Sequence, residues 1–154
     1  MSDNPKTDII LSMARTATED YMQQIVQHLK THEFRKKLYP PSVKRIWFYE
    51  TSPISAITHI CEIDPTHVRY KDGPLEENGI GNREYNSKVD DEDWEGYDYA
   101  YRIKNCYKLR RPIGLVDMKM TYGINGAPRG MVYVTERMRG EVRVEEQICI
   151  WKED

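Results

Sequence analysis

Three charged residues, Lys30, Glu33 and Arg35, lie close together in the segment Lys-Thr-His-Glu-Phe-Arg-Lys, and their spacing is the first sign of chemistry in this chain. Residues two apart on an extended strand project to one side, so Glu33 and Arg35 share a face and Lys30 sits just before it. Two cations and one carboxylate would then face a single ligand. Arg offers a bidentate fork to phosphate, Lys a mobile point charge, and Glu an acceptor for an exocyclic amine such as that of cytosine. That combination suits a nucleotide. The competing reading is a Glu33–Arg35 or Lys30–Glu33 ion pair on the surface, which adds little to stability.

Further candidates stand around this motif. Thr51, Ser52 and Ser55 bracket Pro53, where hydroxyls and free backbone N–H groups could hold a phosphate or a base edge, or simply make a proline-set turn. Trp47, Tyr49, Trp94 and Tyr101 are candidates for base stacking, the usual means of holding single-stranded RNA. Trp47 and Tyr49 fall on one face of one strand, so core packing competes with stacking for at least one of them. Arg102 joins the set at the head of a second basic segment. His28 and His32, four apart with Glu33 adjacent, would hold a metal only on a continuous helix, and the order is not HExxH. The helix is expected to end near Lys30, so the reading includes no metal, and it includes no cofactor. GxGxxG, Walker and GxSxG motifs do not occur, so the dinucleotide, NTPase and α/β-hydrolase classes gain no support.

Composition bounds what these residues can belong to. The 154 residues suffice for one core, and 39% hydrophobic residues with eleven Tyr and three Trp supply the apolar area to fill it. The expectation is a single domain over residues 8–154 after a flexible stretch at 1–7. Cys61, Cys106 and Cys149 are widely spaced without a CxxC pair, which points to reduced thiols rather than a disulfide framework. The polar start, without a basic and apolar leader pattern, and the lack of a long apolar run give the expectation of an intracellular protein, cytoplasmic or nuclear, with no membrane partner.

The net charge of −2 conceals local asymmetry. Residues 30–45 carry six cations against Glu33 alone, and residues 102–111 carry five cations and no acid. Opposed to them are Asp90, Asp91, Glu92, Asp93, Glu95 and Asp98. A near-neutral total argues against coating duplex DNA by bulk charge, whereas two basic segments folded side by side would still make a local anion-binding face.

The elements that must position these residues follow from periodicity. Residues 8–13 form an apolar run suited to a buried strand. A helix is expected next through Glu19, Tyr21, Ile25 and Leu29, the last three on one face. Strands are expected at 32–36, with Phe34 toward the core, at 43–50 and at 54–63. Residues 64–98 read as a polar, acidic insertion with at most short helical pieces, of the kind that closes over a site. One strand is expected over 99–109, stopped by Pro112, then a glycine-marked loop and a final strand or helix within 137–151. A β-rich chain with one early helix suggests α+β and a small mixed barrel of five to six strands, with short additional helices.

The segments Ile9-Ile10-Leu11-Ser12, Lys30 to Lys36, Val43 to Tyr49 with Thr51-Ser52-Pro53, and Ala100-Tyr101-Arg102-Ile103 with Pro112-Ile113 together resemble the ASCH family. The resemblance runs from about Asp8 to Tyr133. The family signature is Gly-x-Lys-x-x-Glu-x-Arg, and Lys30, Glu33 and Arg35 match it in place, with His28 where the Gly usually stands. The resemblance implies a PUA-like barrel with a cleft that binds RNA or a modified nucleotide. It also implies one alternative, hydrolysis of acylated cytidine, for which Lys30 matches the family Lys while Glu33 stands at the Thr position. A second alternative is a ribonuclease on the same basic cleft, with Lys30 or a His as general acid or base. A third alternative, from another class, is a protein-interaction module in transcription or translation that uses the acidic stretch and the tail.

Overall fold

The computed structural model describes residues 6–87 and 92–154. Asp90 and Asp91 of the acidic stretch, and most of the expected flexible start, lie outside the described residues. The apolar run forms β1 (Asp8–Met13), buried on both faces: Ile9, Leu11 and Met13 enter one core cluster and Ile10 the other. A strand covered on both sides reads as continuous hydrophobicity rather than alternation. Asp20 caps the N-terminus of α1 (Tyr21–Val26) by accepting from Gln23 N at 3.1 Å. The helix is shorter than its periodicity suggested. It buries Met22 and Ile25 and stops before Leu29, which is exposed.

Helix α1 leads into β2 (His32–Arg35), then β3 (Arg45–Glu50), parallel to β1, and β4 (Ala56–Glu62), antiparallel to β3. Past β4 come β5 (His67–Val68), α2 (Asn82–Asn86) and a 3-10 turn at Glu92–Trp94. These are the short pieces expected of the insertion. The run expected as one strand is two, β6 (Tyr99–Arg102) and β7 (Asn105–Gly114). At Ile103 the backbone N–H turns to the Thr31 carbonyl, so the first half pairs with β2 and the second with β4. Pro112 does not end β7. Ile57 faces Ile113 and His59 faces Lys108, so residues 109–112 fall in a register irregularity where the ladder does not call on a proline N–H.

The chain closes with α3 (Leu115–Met120), β8 (Val132–Tyr133), α4 (Glu136–Glu141), a second 3-10 turn and β9 (Ile148–Lys152). The architecture is α+β, with one sheet ordered β8-β1-β3-β4-β7-β9 and another ordered β2-β6-β5. The expected closed barrel is not formed: β8 and β9 end the six-stranded sheet on opposite sides. The change of sheet at Ile103 sends β2, β6 and β5 into a separate layer.

Each face of the large sheet carries its own core. Trp47, Tyr49, Ile57 and Ile60 pack with Met118 of α3 and Met138 of α4. Ile46, Phe48 and Cys61 pack on the other face with Met22, Ile25, Tyr101 and Ile103. A third, small cluster joins Phe34 to Leu75, Tyr85 and Ala100, which fixes the insertion onto β2. Gly81 is required there. It has φ +90, and a Cβ would come 2.8 Å from Phe34 Cε2. Among the described residues no helix is long and apolar enough to cross a membrane.

Candidate functional site

Where β1 ends, α1 begins and β2 runs beneath the insertion, the structure leaves a cavity of about 690 Å³. Ser12, Met13 and Ala14 line it from β1 and the residue after it, Tyr21 from α1, and Lys30 and the segment from Glu33 to Lys37 from β2 and its ends. Tyr39 adds to the wall, and Asp93, Trp94 and Tyr97 reach in from the insertion. The insertion thus supplies one wall of the cavity.

The three motif residues meet at this cavity. Lys30 Nζ donates to Glu33 Oε1 at 2.8 Å and Arg35 Nη2 donates to Glu33 Oε2 at 2.7 Å. Arg35 Nη2 also donates to the Ser12 carbonyl at 3.0 Å, which ties the guanidinium to β1. The competing reading of the spacing was an ion pair on the surface, but the side chains of Lys30 and Glu33 are only 8% and 5% exposed. Burial alone would raise the Glu33 carboxyl, yet the Lys30 ammonium, and after it the Arg35 guanidinium, overcome that and hold it at about 2. Burial opposes the charge on Arg35 as well, and the Glu33 carboxylate beside it raises its pKa. Glu33 is therefore an anion at any physiological pH. Lys30 Nζ also lies 5.1 Å from the Phe34 ring centroid and 5.8 Å from that of Tyr21.

The turn that delivers Lys30 works without the glycine. His28 takes the left-handed conformation, φ 60, with its ring stacked on Trp151 at 3.7 Å and Trp151 Nε1 donating to the Ile25 carbonyl at 2.8 Å. A left-handed non-glycine costs on the order of 1 kcal/mol, which an aromatic stack of that size offsets. His32 lies on β2 with Nδ1 2.8 Å from Thr31 Oγ1, so His28 and His32 do not share a helix face. Among the described residues no group of three His, Cys, Asp or Glu side chains is placed to hold a metal ion.

Several expected contacts lie elsewhere. Trp47 is fully buried in the core and donates from Nε1 to Asp8 Oδ2 at 2.9 Å, and Tyr49 is buried beside it. Both point to the face of β3 covered by α3 and α4, because alternation along the strand sends Phe48 toward α1 and its neighbours away. Tyr101 is also core: its hydroxyl accepts from Tyr39 N and donates to the Lys37 carbonyl, both at 2.9 Å, bracing the cavity wall from behind. Thr51, Ser52 and Ser55 do not line the cavity. They form the turn after β3, where Thr51 N donates to the Met13 carbonyl. Arg102 projects to solvent and pairs with Asp64 at 2.7 Å and with Glu153. The second basic segment thus contributes no lining residue. Of the four proposed stacking aromatics, Trp94 alone lines the cavity.

Sequence reasoning missed Ser12, Tyr21, Tyr39, Lys36, Lys37, Asp93 and Tyr97 as cavity residues. Lys36 and Lys37 were visible as part of the basic run, and Lys36 Nζ sits 4.9 Å over the Tyr97 ring. Asp93 stood in the acidic stretch and Tyr21 on the expected helix face, but nothing local placed them, Ser12, Tyr39 or Tyr97 at one cavity. Two buried histidines stand outside the cavity. His32 is lowered to about 4 by burial, then by His67 and Arg102, and His59 is lowered to about 4 by burial and then by Lys108. Thr31, the neighbour of the motif Lys, accepts from Asn82 Nδ2 at 3.0 Å and likewise does not line the cavity.

No protein-family model matches the chain, and no curated protein matches it. Solved structures do. The ASCH protein of Zymomonas mobilis is 18% identical, with a TM-score of 0.64 over 92% of this chain and 96% of that one. Two single-substitution variants of that protein give TM-scores of 0.63 and 0.59 at 18% and 19% identity, over 93% and 92% of this chain. With Lys30 ahead of β2 meeting Glu33 and Arg35 on it, and nearly the whole length of both chains superposed, this protein has the ASCH fold.

Proposed function

We propose that this protein binds RNA or a modified nucleotide in the cavity at Lys30, Glu33 and Arg35. The observation that carries the reading is the buried relay of Lys30, Glu33 and Arg35 at a cavity walled by aromatic rings. Burying Lys30 and Glu33 and half-burying Arg35 is costly unless the charges are paired and put to use, and strained or costly polar arrangements concentrate at functional sites. The cavity volume is that of a small-molecule site, and Trp94 and Tyr97 offer the π surface on which bases stack. Binding is favoured over catalysis. Neither depressed histidine lines the cavity, and the Thr nearest the motif Lys is engaged away from it.

The test is fluorescence anisotropy with labelled single-stranded RNA, duplex RNA, DNA and a panel of modified nucleosides across a salt series. The variant of choice is the double substitution Lys36→Ala and Lys37→Ala, because both side chains are exposed and neither holds the buried relay together. The expected result is salt-sensitive binding that the double variant weakens. Binding that is absent for every ligand, or unchanged in the variant, would remove the cavity from consideration.

A further inference from the structure

The charge of the cavity identifies one part of its ligand. Among the described residues its charged side chains are four cations, Lys30, Arg35, Lys36 and Lys37, and two acids, Glu33 and Asp93. Four minus two leaves a formal +2, in a chain whose total is −2. Glu33 already accepts a charge-assisted hydrogen bond on each oxygen, from Lys30 and from Arg35. What the relay has left to offer is donors. An ammonium has three protons and a guanidinium five, and only a few are spent on Glu33 and the Ser12 carbonyl.

On this basis, and resting on the reading of the cavity as a nucleotide site, we propose that the cavity takes a phosphomonoester: a nucleotide whose terminal phosphate sits on Lys30 and Arg35 with its base against Trp94. A phosphomonoester carries about −1.5 to −2 at neutral pH and three acceptor oxygens, which complements the +2 of the walls. A phosphodiester within a strand carries a single negative charge and leaves the walls half neutralised. Arg35 Nη2 is spent on Glu33 and the Ser12 carbonyl, so Arg35 would donate to phosphate through Nη1, beside the remaining protons of the Lys30 ammonium. Glu33 is then a positioning residue that holds the two cations side by side, rather than the acceptor of a base amine.

The same chemistry can come from a free mononucleotide or from the phosphorylated end of a strand. Calorimetric titrations of the full chain would compare ribonucleosides, their 5′- and 3′-monophosphates, the methyl esters of those monophosphates, and trinucleotides with and without a terminal phosphate. The monophosphate is expected to bind about tenfold or more tighter than its nucleoside, the scale of one charge-assisted hydrogen bond, with the methyl ester in between. Arg35→Gln, which removes one positive charge from the wall, should erase most of that gain, and a thermal melt identifies a folded variant. Lys36→Ala supplies the same test at an exposed position. Nucleoside and monophosphate affinities within about twofold of each other would overturn the proposal. If RNA or nucleosides still bind in the cavity in that case, the wider reading stands without it. Cavity-dependent binding of monophosphates with no preference for RNA would support the phosphate site and sink RNA as the ligand.

Discussion

Replacing Glu33 with Gln removes one charge and almost no volume, so the variant approximates the native protein with that carboxyl protonated. The folded carboxyl sits at about 2 against an ordinary value of 4.5. The gap corresponds to roughly 3 kcal/mol of stability at neutral pH. A folded pKa below the unfolded one means this contribution is fully present above pH 4.5 and is lost as pH falls through about 2. Urea unfolding should therefore find Glu33→Gln weaker than wild type by about 3 kcal/mol, and by the same amount at pH 7.5 and pH 5.5. Below pH 4.5 the two curves should converge, with sucrose added to extend the folded range. In a chain of 154 residues the neutral-pH difference is a drop of roughly 6–12 °C in Tm. Histidine titration is common to both proteins and cancels in the difference. Equal stabilities at pH 7.5, or a gap that vanishes by pH 5.5, would refute the argument that Lys30 and Arg35 hold a buried carboxylate ionised.

Two other outcomes follow from the same physics. His32 and His59 are buried and held at about 4 against an ordinary 6.5, so between those values the unfolded chain binds two protons that the folded chain refuses. Stability should be full above pH 6.5 and fall by up to about 3 kcal/mol per pH unit as the pH is lowered toward 4, and a flat urea profile between pH 6 and 5 would show that the imidazoles protonate freely in the fold. The tryptophans should separate cleanly: Trp47→Ala should cost about 3–5 kcal/mol of stability by opening the core, while Trp94→Ala should cost little stability but about 1–3 kcal/mol of ligand affinity. Melting and anisotropy on both variants check this, and loss of affinity in a folded Trp47 variant would contradict its placement.

Much of this protein was legible from one-dimensional pattern. The apolar run of β1, the β-rich segments of β3 and β4 and the place of β2 follow from local burial requirements, and the Lys30, Glu33, Arg35 spacing does put its charges together, because strand alternation is a local rule. Nonlocal geometry lay beyond that rule. The run from Tyr99 to Leu109 alternates without interruption, yet the chain changes sheet at Ile103 because Thr31 O and Glu62 O take the backbone donors there. The α1 pattern extended to Leu29, but the left-handed turn at His28, held by Trp151 from the far end of the chain, ended the helix early. Sequence alone determined which residues carry charge, aromatic surface and strand periodicity. Only the tertiary structure decided that Trp47 and Tyr49 face the core, that Arg102 is spent on Asp64 and Glu153, and that Trp94 and Tyr97 come over β2. Which side of a strand is covered, and by what, is settled by the elements packed against it, and those come from distant parts of the chain.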